Sequence, residues 1–251
     1  PRSTLFPSTT LFRSKPFMKV IGILGGMGPQ ATIDLYQKII NNTVATKDQE
    51  HLQVLIWSDP TIPDRTAAIL GDGEDPLPYL RAGAEKLIAG KSECIAIPCN
   101  TAHYFLPQLV DLTPGVTYLN MIELTAAELK KNFSPGSIIA ITGTTATLRT
   151  GLYQNAIQEA GLTPVLPSAD LQDEVMEIIF GAQGVKAGFV NQSNKDRYAR
   201  VLNSLQTQGA ACVIAGCTEL PLVVDLVQIT VAIVDPTEVL ARGAVQFALN
   251  G

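Results

Sequence analysis

Cys99 and Cys217 each close a short apolar run and open a polar, helix-prone one, and they occupy matching places in two halves of the chain. Cys94-Ile-Ala-Ile-Pro-Cys99-Asn-Thr and Cys212-Val-Ile-Ala-Gly-Cys217-Thr-Glu read as one motif used twice. A second pair of segments agrees: Ile21-Gly-Ile-Leu-Gly-Gly26 with Tyr36-Gln37, and Ile138-Ile-Ala-Ile-Thr-Gly143 with Tyr153-Gln154. The offset is 117 residues for this pair and 118 for the cysteines. Two such units facing each other would set two thiols on opposite sides of one cleft, which suits chemistry needing a base on one face of a substrate and an acid on the other. At a strand end beside a helix start, backbone N–H groups and the helix dipole draw a thiol below its ordinary pKa. Asn100-Thr101 and Thr218-Glu219 add polar groups able to hold a carboxylate or orient the thiol.

Cys94 and Cys212 sit early in their apolar runs and read as buried small hydrophobes. Across an extended run, residues five apart face opposite ways, so neither Cys94 with Cys99 nor Cys212 with Cys217 makes a local disulfide or half of a zinc site. No metal is expected.

Short apolar runs that must position these groups lie at Val20 to Leu24, Val54 to Trp57, Cys94 to Ile97, Val116 to Leu119, Ile138 to Ile141, Cys212 to Ala215 and Val231 to Val234. Between them stand amphipathic stretches at Ala31 to Thr43, Leu77 to Ala89, Ile122 to Asn132, Leu152 to Ala160 and Asp196 to Gln208. Such alternation predicts an α/β fold of βαβ units, and the continuous polarity of the strands fits sheets covered on both faces. The repeat predicts two similar lobes, each a mostly parallel sheet flanked by helices, related by pseudo-twofold symmetry with the site between them. Tyr118-Leu-Asn-Met-Ile-Glu123 resembles Ile233-Val-Asp-Pro-Thr-Glu238, and both read as crossovers. The expected N-terminal lobe is therefore 18–119 plus 235–251, and the C-terminal lobe 120–234. Ligands in open parallel sheets bind beyond the carboxyl ends of the strands, where Gly25 to Gly28, Ser58-Asp59, Pro98 to Thr101, Thr142 to Thr147 and Gly216 to Glu219 all fall.

Apolar residues make up 46% of the 251 and charged residues 16%, the balance of an ordered globular chain. A net charge of −5 with scattered Lys and Arg argues against nucleic acid, and no apolar run reaches the ~18 residues of a membrane span. Residues 1–17 lack the apolar core of a signal peptide, and a strand pattern starts directly after Met18. Met18 is expected to be the natural start, residues 1–17 a non-native or disordered tail, and the protein cytoplasmic with reduced thiols.

Gly25-Gly-Met-Gly-Pro29, Ile62-Pro-Asp-Arg-Thr66, Pro98-Cys-Asn-Thr-Ala-His103 and Gly216-Cys-Thr-Glu-Leu220 stand in this order along the chain. Together they resemble the aspartate/glutamate racemase family, and more closely its aspartate racemase branch, over essentially everything after Met18. Glutamate racemases typically carry Asp-Ser-Gly at the first loop and Cys-Thr-His at the second cysteine, where this chain has Gly25-Gly26-Met27 and Cys217-Thr218-Glu219. The resemblance implies cofactor-independent racemisation of an acidic amino acid, aspartate first, by two bases in a homodimeric enzyme. By carry-over, Cys99 and Cys217 are the acid–base pair. Arg65 and Lys186 (in Gly184-Val-Lys-Ala-Gly188) hold the side-chain carboxylate, and Asn100, Thr101 and Thr218 hold the α-amino and α-carboxylate groups. Met27, Glu219 and the Thr144 and Thr147 of the Gly143-Thr-Thr-Ala-Thr147 loop complete the expected substrate site; Ala146 replaces a glycine the family carries there.

Taken without the resemblance, Arg65 reads first as a bidentate carboxylate binder and second as a salt-bridge partner of Asp64 or Glu74, and Lys186 as a solvated loop charge. His103 and Glu219 read as tuners of their neighbouring thiols or as capping and surface groups. His51 reads as exposed, and Asp59 equally as a cleft-lining residue or as a turn residue before Pro60 and Pro63. Gly26-Met-Gly28-Pro-Gln-Ala31 fits a dinucleotide fingerprint formally, but no acidic residue stands at the end of the second strand about 20 positions on, Asp59 being 31 away, and Pro29 interrupts the turn. A cysteine hydrolase needs a base at its nucleophile, and only His103 is near. A related decarboxylase needs one cysteine where this chain has two. A non-catalytic dicarboxylate-binding protein is the alternative of a different class.

Overall fold

A computed structural model describes residues 18–250. The tail expected at residues 1–17 lies outside the described residues. The frame is two four-stranded sheets in which every pairing is parallel. In the first, β1 (Ile21–Gly25), β2 (Val54–Ser58), β3 (Cys94–Ala96) and β4 (Thr117–Leu119) lie in the order β2-β1-β3-β4. In the second, β5 (Ile138–Gly143), β6 (Thr163–Val165), β7 (Cys212–Gly216) and β8 (Ala232–Val234) repeat it as β6-β5-β7-β8. The sequence repeat is thus a repeat of topology, and it puts the strands that precede Cys99 and Cys217 in equivalent places.

Helices fill the crossovers. On the first sheet α1 (Pro29–Asn42) follows β1, α2 (Arg65–Leu70) and α3 (Leu77–Ala89) follow β2, and α4 (Leu106–Leu112) follows β3. From β4, α5 (Met121–Asn132) leads to the second sheet, where α6 (Thr145–Arg149) and α7 (Leu152–Glu159) follow β5 and α8 (Ala169–Phe180) and α9 (Gln192–Thr207) follow β6. After β8, α10 (Pro236–Leu249) returns and packs on α1 and α5.

Both faces of each sheet are covered, so strand residues of either parity are apolar. On one face of the first sheet Leu24 and Ile95 meet Leu80, Ala84 and Leu87 of α3. On the other, Ile21 and Ile23 meet Leu35 and Ile39 of α1 and Leu240 and Ala244 of α10. Each fully buried Leu or Ile contributes roughly 1.5–3 kcal/mol of transfer free energy, so this return of α10 is a substantial clamp. Parity also separates the cysteines: Cys94 lies with the α1/α10 face and Cys99 with the α3 face, and Cys212 and Cys217 are split in the same way.

Local chemistry sets the helix starts. Pro29 opens α1 where its missing N–H costs nothing, and Ala31, Leu35 and Ile39 recur on one buried stripe. Asp235 caps α10 by accepting the Thr237 N–H, and Lys38 of α1 bridges Asp34 and Asp235. Asn191 accepts the Asn194 N–H at 3.0 Å, so α9 begins at Gln192, a turn ahead of the Asp196 expected from periodicity. β6 is a three-residue edge strand containing Pro164, which an edge tolerates, and α2, α4 and α6 are too short to show a period; α8 is absent from the sequence-based expectation although Leu171, Val175, Ile178 and Ile179 recur at helical spacing. Among the described residues no helix is long and apolar enough to cross a membrane.

Candidate active site

Cys99 sits just past the carboxyl end of β3, where the chain turns so tightly that its N–H bonds the Ile97 carbonyl at 2.8 Å. A single 3₁₀ turn, Thr101–Phe105, follows. His103, one turn on and fully buried, holds this corner. Its Nε2 accepts the Met121 N–H at 3.1 Å, so the ring proton is on Nδ1, which donates to the Cys99 carbonyl at 2.9 Å. Burial pushes the His103 pKa down, offset only in part by the backbone groups of Cys99 and Leu119, and the Met121 N–H occupying Nε2 keeps the ring neutral. With both nitrogens committed to backbone, His103 shapes the turn and has no atom left to act as a base for the thiol.

Cys217 follows Gly216 at the end of β7. A Cβ on Gly216 would fall 2.6 Å from the Thr142 carbonyl and 3.4 Å from Cε2 of Tyr153, so the strand end is pressed tightly against its neighbours. The Cys217 thiol donates to Oε2 of Glu219 at 3.0 Å, and the Thr218 hydroxyl donates to the same oxygen at 3.2 Å. The other oxygen, Oε1, accepts from Lys186 Nζ at 2.6 Å. Here the structure corrects the expectation of a thiol drawn low by a helix start. Burial first, and then the Glu219 charge, push Cys217 well above the ordinary cysteine range, and Lys186 offsets this only in part. The segment after Cys217 is a short 3₁₀ turn, Leu220–Val223, which lacks the dipole of a long helix. Lys186 itself is raised: burial opposes its charge, but Glu219, Cys217 and Cys99 together outweigh burial.

Both cysteines line one small cavity of about 20 Å³, together with Met27, Asp64, Arg65, Thr66, Asn100, Thr101, Thr144, Phe180, Lys186, Thr218 and Glu219. Its walls come from both sheets, since α2 packs on α6 across the division. Asp64 caps α2 by accepting the Ala67 N–H at 2.7 Å, which starts the helix at Arg65. Arg65 makes no salt bridge with Asp64 or Glu74. Its Nη1 donates to the carbonyls of Ile62 (3.1 Å) and Pro63 (2.9 Å), Nη2 reaches that of Met27 (3.4 Å), and the buried Nε has no partner. Asn100 is likewise half committed: Tyr153 donates to its Oδ1, while its buried Nδ2 is unpartnered. Two cationic side chains and an unused amide donor around a small space make a receptor for an anion of modest size.

Ten of the eleven predicted positions line this cavity, and Thr147 does not. It is fully buried and stands behind the cavity, bonding the Thr101 and Thr144 hydroxyls at 3.0 Å each, while those two lie 3.3 Å apart. The three hydroxyls tie the Cys99 turn to the start of α6. Lys186 is an ion-pair partner of Glu219 where an isolated reading made it a solvated charge. His51 is half-buried with its Nδ1 enclosed, not exposed, and Asp59 is a turn residue that accepts from Thr61. Sequence reasoning missed Asp64, Thr66, Phe180 and Tyr153. Asp before a helix start signals Asp64, Tyr153 stands in the repeat beside Gln154, and Phe180 ends a helix whose Leu171, Val175, Ile178 and Ile179 recur at helical spacing.

Comparisons with known proteins converge on one group. The model of the Asp/Glu/Hydantoin racemase family matches residues 24–244. A Bacillus subtilis (strain 168) protein, broad specificity amino-acid racemase RacX, is 28% identical over 236 residues, covering 90% of this chain and 96% of that protein. Among solved structures, the Picrophilus torridus aspartate racemase superposes with a TM-score of 0.79 at 29% identity, covering 92% of this chain and 94% of that one. An aspartate racemase homologue from Pyrococcus horikoshii OT3 gives 0.73 at 26% identity, covering 92% and 99%.

Proposed function

The chain belongs to the Asp/Glu/Hydantoin racemase family, and on that premise we propose that it interconverts L- and D-aspartate without a cofactor, using Cys99 and Cys217 as opposed acid and base. The observation that carries this reading is that two thiols ending equivalent strands of two sheets line one cavity with Arg65 and Lys186. One sulfur, as thiolate, removes the α-proton; the other, as thiol, supplies a proton to the opposite face. The roles exchange when the other enantiomer binds. General acid–base transfer of this kind accounts for about 10²- to 10⁴-fold of rate. The larger requirement is to stabilise the enolate-like charge that develops at the α-carboxylate, which preorganised donors meet best. Asn100 Nδ2 is the unpartnered donor in the cavity, and the Thr101 and Thr218 hydroxyls could join it only by turning from Thr144 and Thr147 and from Glu219. Arg65, with a free Nε and a planar fork, suits the side-chain carboxylate.

Aspartate is favoured because the space between the two thiols is small and is walled by Arg65, Lys186 and polar side chains, which suits a short dicarboxylate. Glutamate or another longer acidic amino acid is the second reading. A neighbouring space of about 480 Å³, lined by Gly28, Pro29, Val185, Val190 and Leu222, shares Lys186 and Glu219 with the cavity and offers room for a longer side chain. Incubation of L-aspartate and L-glutamate in D₂O, followed by NMR and chiral chromatography, tests both. Deuterium incorporation with loss of optical activity is expected for aspartate; binding without exchange for every acidic amino acid would leave a binding protein.

A further inference from the structure

We propose that the chain also racemises acidic amino acids whose distal carboxyl is blocked as an amide carrying an apolar substituent, with that substituent lying in the space beyond Lys186. The inference rests on the racemase reading and deepens it by naming a second substrate class. Room decides where such a tail goes. The cavity between the thiols holds about 20 Å³, whereas the space adjoining it holds about 480 Å³. Lys186 and Glu219 line both, so the two are continuous at this ion pair. Lys186 is held there from two sides, by Glu219 Oε1 at 2.6 Å and by the Phe180 ring, whose centroid lies 5.6 Å from Nζ. A substrate's distal group placed on Lys186 therefore stands on the border, and whatever is attached to it projects into the larger space.

Charge decides what the tail is. Among the described residues, Lys186 and Glu219 are the only charged groups lining the larger space, and they neutralise each other. Pro29, Val185, Val190 and Leu222 supply its apolar wall, and Val190 is half exposed, an apolar side chain that a tail would cover. A charged tail finds no free counter-ion there; an apolar one gains up to about fourfold in affinity for each methylene it buries. The cavity itself is lined by two cations, Arg65 and Lys186, and two carboxylates, Asp64 and Glu219, so its charges balance without a second negative group on the substrate. An amide carbonyl accepts from Lys186 or from the unpartnered Nε of Arg65 as a carboxylate oxygen does, and the amide N–H, which a carboxylate lacks, finds an acceptor in Glu219. The reaction is unchanged: one C–H bond at the α-carbon breaks, another forms on the opposite face, the amide stays intact and no co-reactant is consumed.

The test gives wild type, Val190→Trp and Val190→Asp three substrates in D₂O: L-aspartate and the γ-ethylamide and γ-butylamide of L-glutamate. Deuterium uptake is followed by NMR and chirality by chiral chromatography. Wild type is expected to exchange and racemise both amides, with a KM for the butylamide about fourfold or more below that for the ethylamide. Val190→Trp fills the space and Val190→Asp puts an unpaired charge in it. Each should raise the butylamide KM by about tenfold or more while KM and kcat for aspartate stay within about twofold of wild type. If aspartate is racemised and the amides are not exchanged, whether or not they bind, the proposal is overturned. It is overturned too if the two variants leave the butylamide KM unmoved or shift it in step with that for aspartate. If wild type exchanges no amino acid, the racemase reading fails by itself. Isothermal titration calorimetry with the butylamide then decides the tail site: affinity lost in both Val190 variants supports it, and no binding or unchanged affinity overturns it.

Discussion

Tyr153, on α7 beside the second sheet, donates its hydroxyl proton to the side-chain oxygen of Asn100, the residue that follows Cys99 beyond the first sheet. One bond thus fixes which way the Asn100 amide points, and it leaves Nδ2 as the free donor of the cavity. Tyr153 is wholly buried, with burial pushing its pKa far above the ordinary phenol value, so it remains a donor at any working pH. The Thr101, Thr144 and Thr147 hydroxyls make a second tie between the same two regions.

Tyr153→Phe keeps the ring packed against Ile139 and Ile157 and removes only the hydroxyl. The Asn100 oxygen then lies buried without a donor, which costs about 1–3 kcal/mol. Urea unfolding should show that loss, and turnover should drop more than KM changes because the amide is free to flip.

Cys99→Ala and Cys217→Ala should each reduce racemisation by about 10²- to 10⁴-fold while circular dichroism stays native. Cys94→Ala and Cys212→Ala should instead keep turnover and cost roughly 1 kcal/mol of stability, since both are core residues on the faces away from the cavity. Their burial pushes the thiols up to about 12, so at neutral pH neither should label with iodoacetamide. Full activity in either Cys99→Ala or Cys217→Ala would remove the two-thiol mechanism.

Arg65→Lys preserves charge but loses the fork that three backbone carbonyls hold in place. An ammonium offers a point charge where a planar group with a free Nε stood, so about 1–3 kcal/mol of carboxylate binding should go. The expected signature in steady-state kinetics is a KM for aspartate raised by about tenfold or more with kcat changed much less.

His103 makes stability depend on pH in a defined direction. Its folded pKa is depressed, so between that value and the unfolded value of about 6.5 the unfolded chain binds a proton that the native one does not. Stability is full above about pH 6.5 and falls as pH drops through this window, with a slope of up to about 1.4 kcal/mol per pH unit. Urea midpoints at pH 8 and pH 5.5 should show the decline. In His103→Gln, which can donate to Cys99 and accept from Met121, the decline should flatten.

Much of the frame was legible because it depends on patterns that local sequence carries. Leu77–Ala89 was read to the residue, and strands such as Ile21–Gly25 and Cys212–Gly216 within one position at each end, since unbroken apolar runs between amphipathic stretches leave few other packings. What escaped was short or depended on a distant partner. β6 is three residues at a sheet edge, and α2 owes its start to the Asp64 cap rather than to any period.

The candidate site divides along the same line. By itself the sequence determined that two cysteines end equivalent strands, that their near partners face away from them, and that Asn100, Thr101, Thr218 and Glu219 stand beside them; these follow from strand parity and from chain adjacency. Only the tertiary structure decided how those neighbours are spent. Hydrogen bonds and ion pairs between residues tens of positions apart set the chemistry: Lys186 reaches Glu219, Tyr153 reaches Asn100, and His103 reaches Met121. Burial then moved Cys217 up where local position alone pointed down. Charge and desolvation act through space, and no spacing along the chain records them.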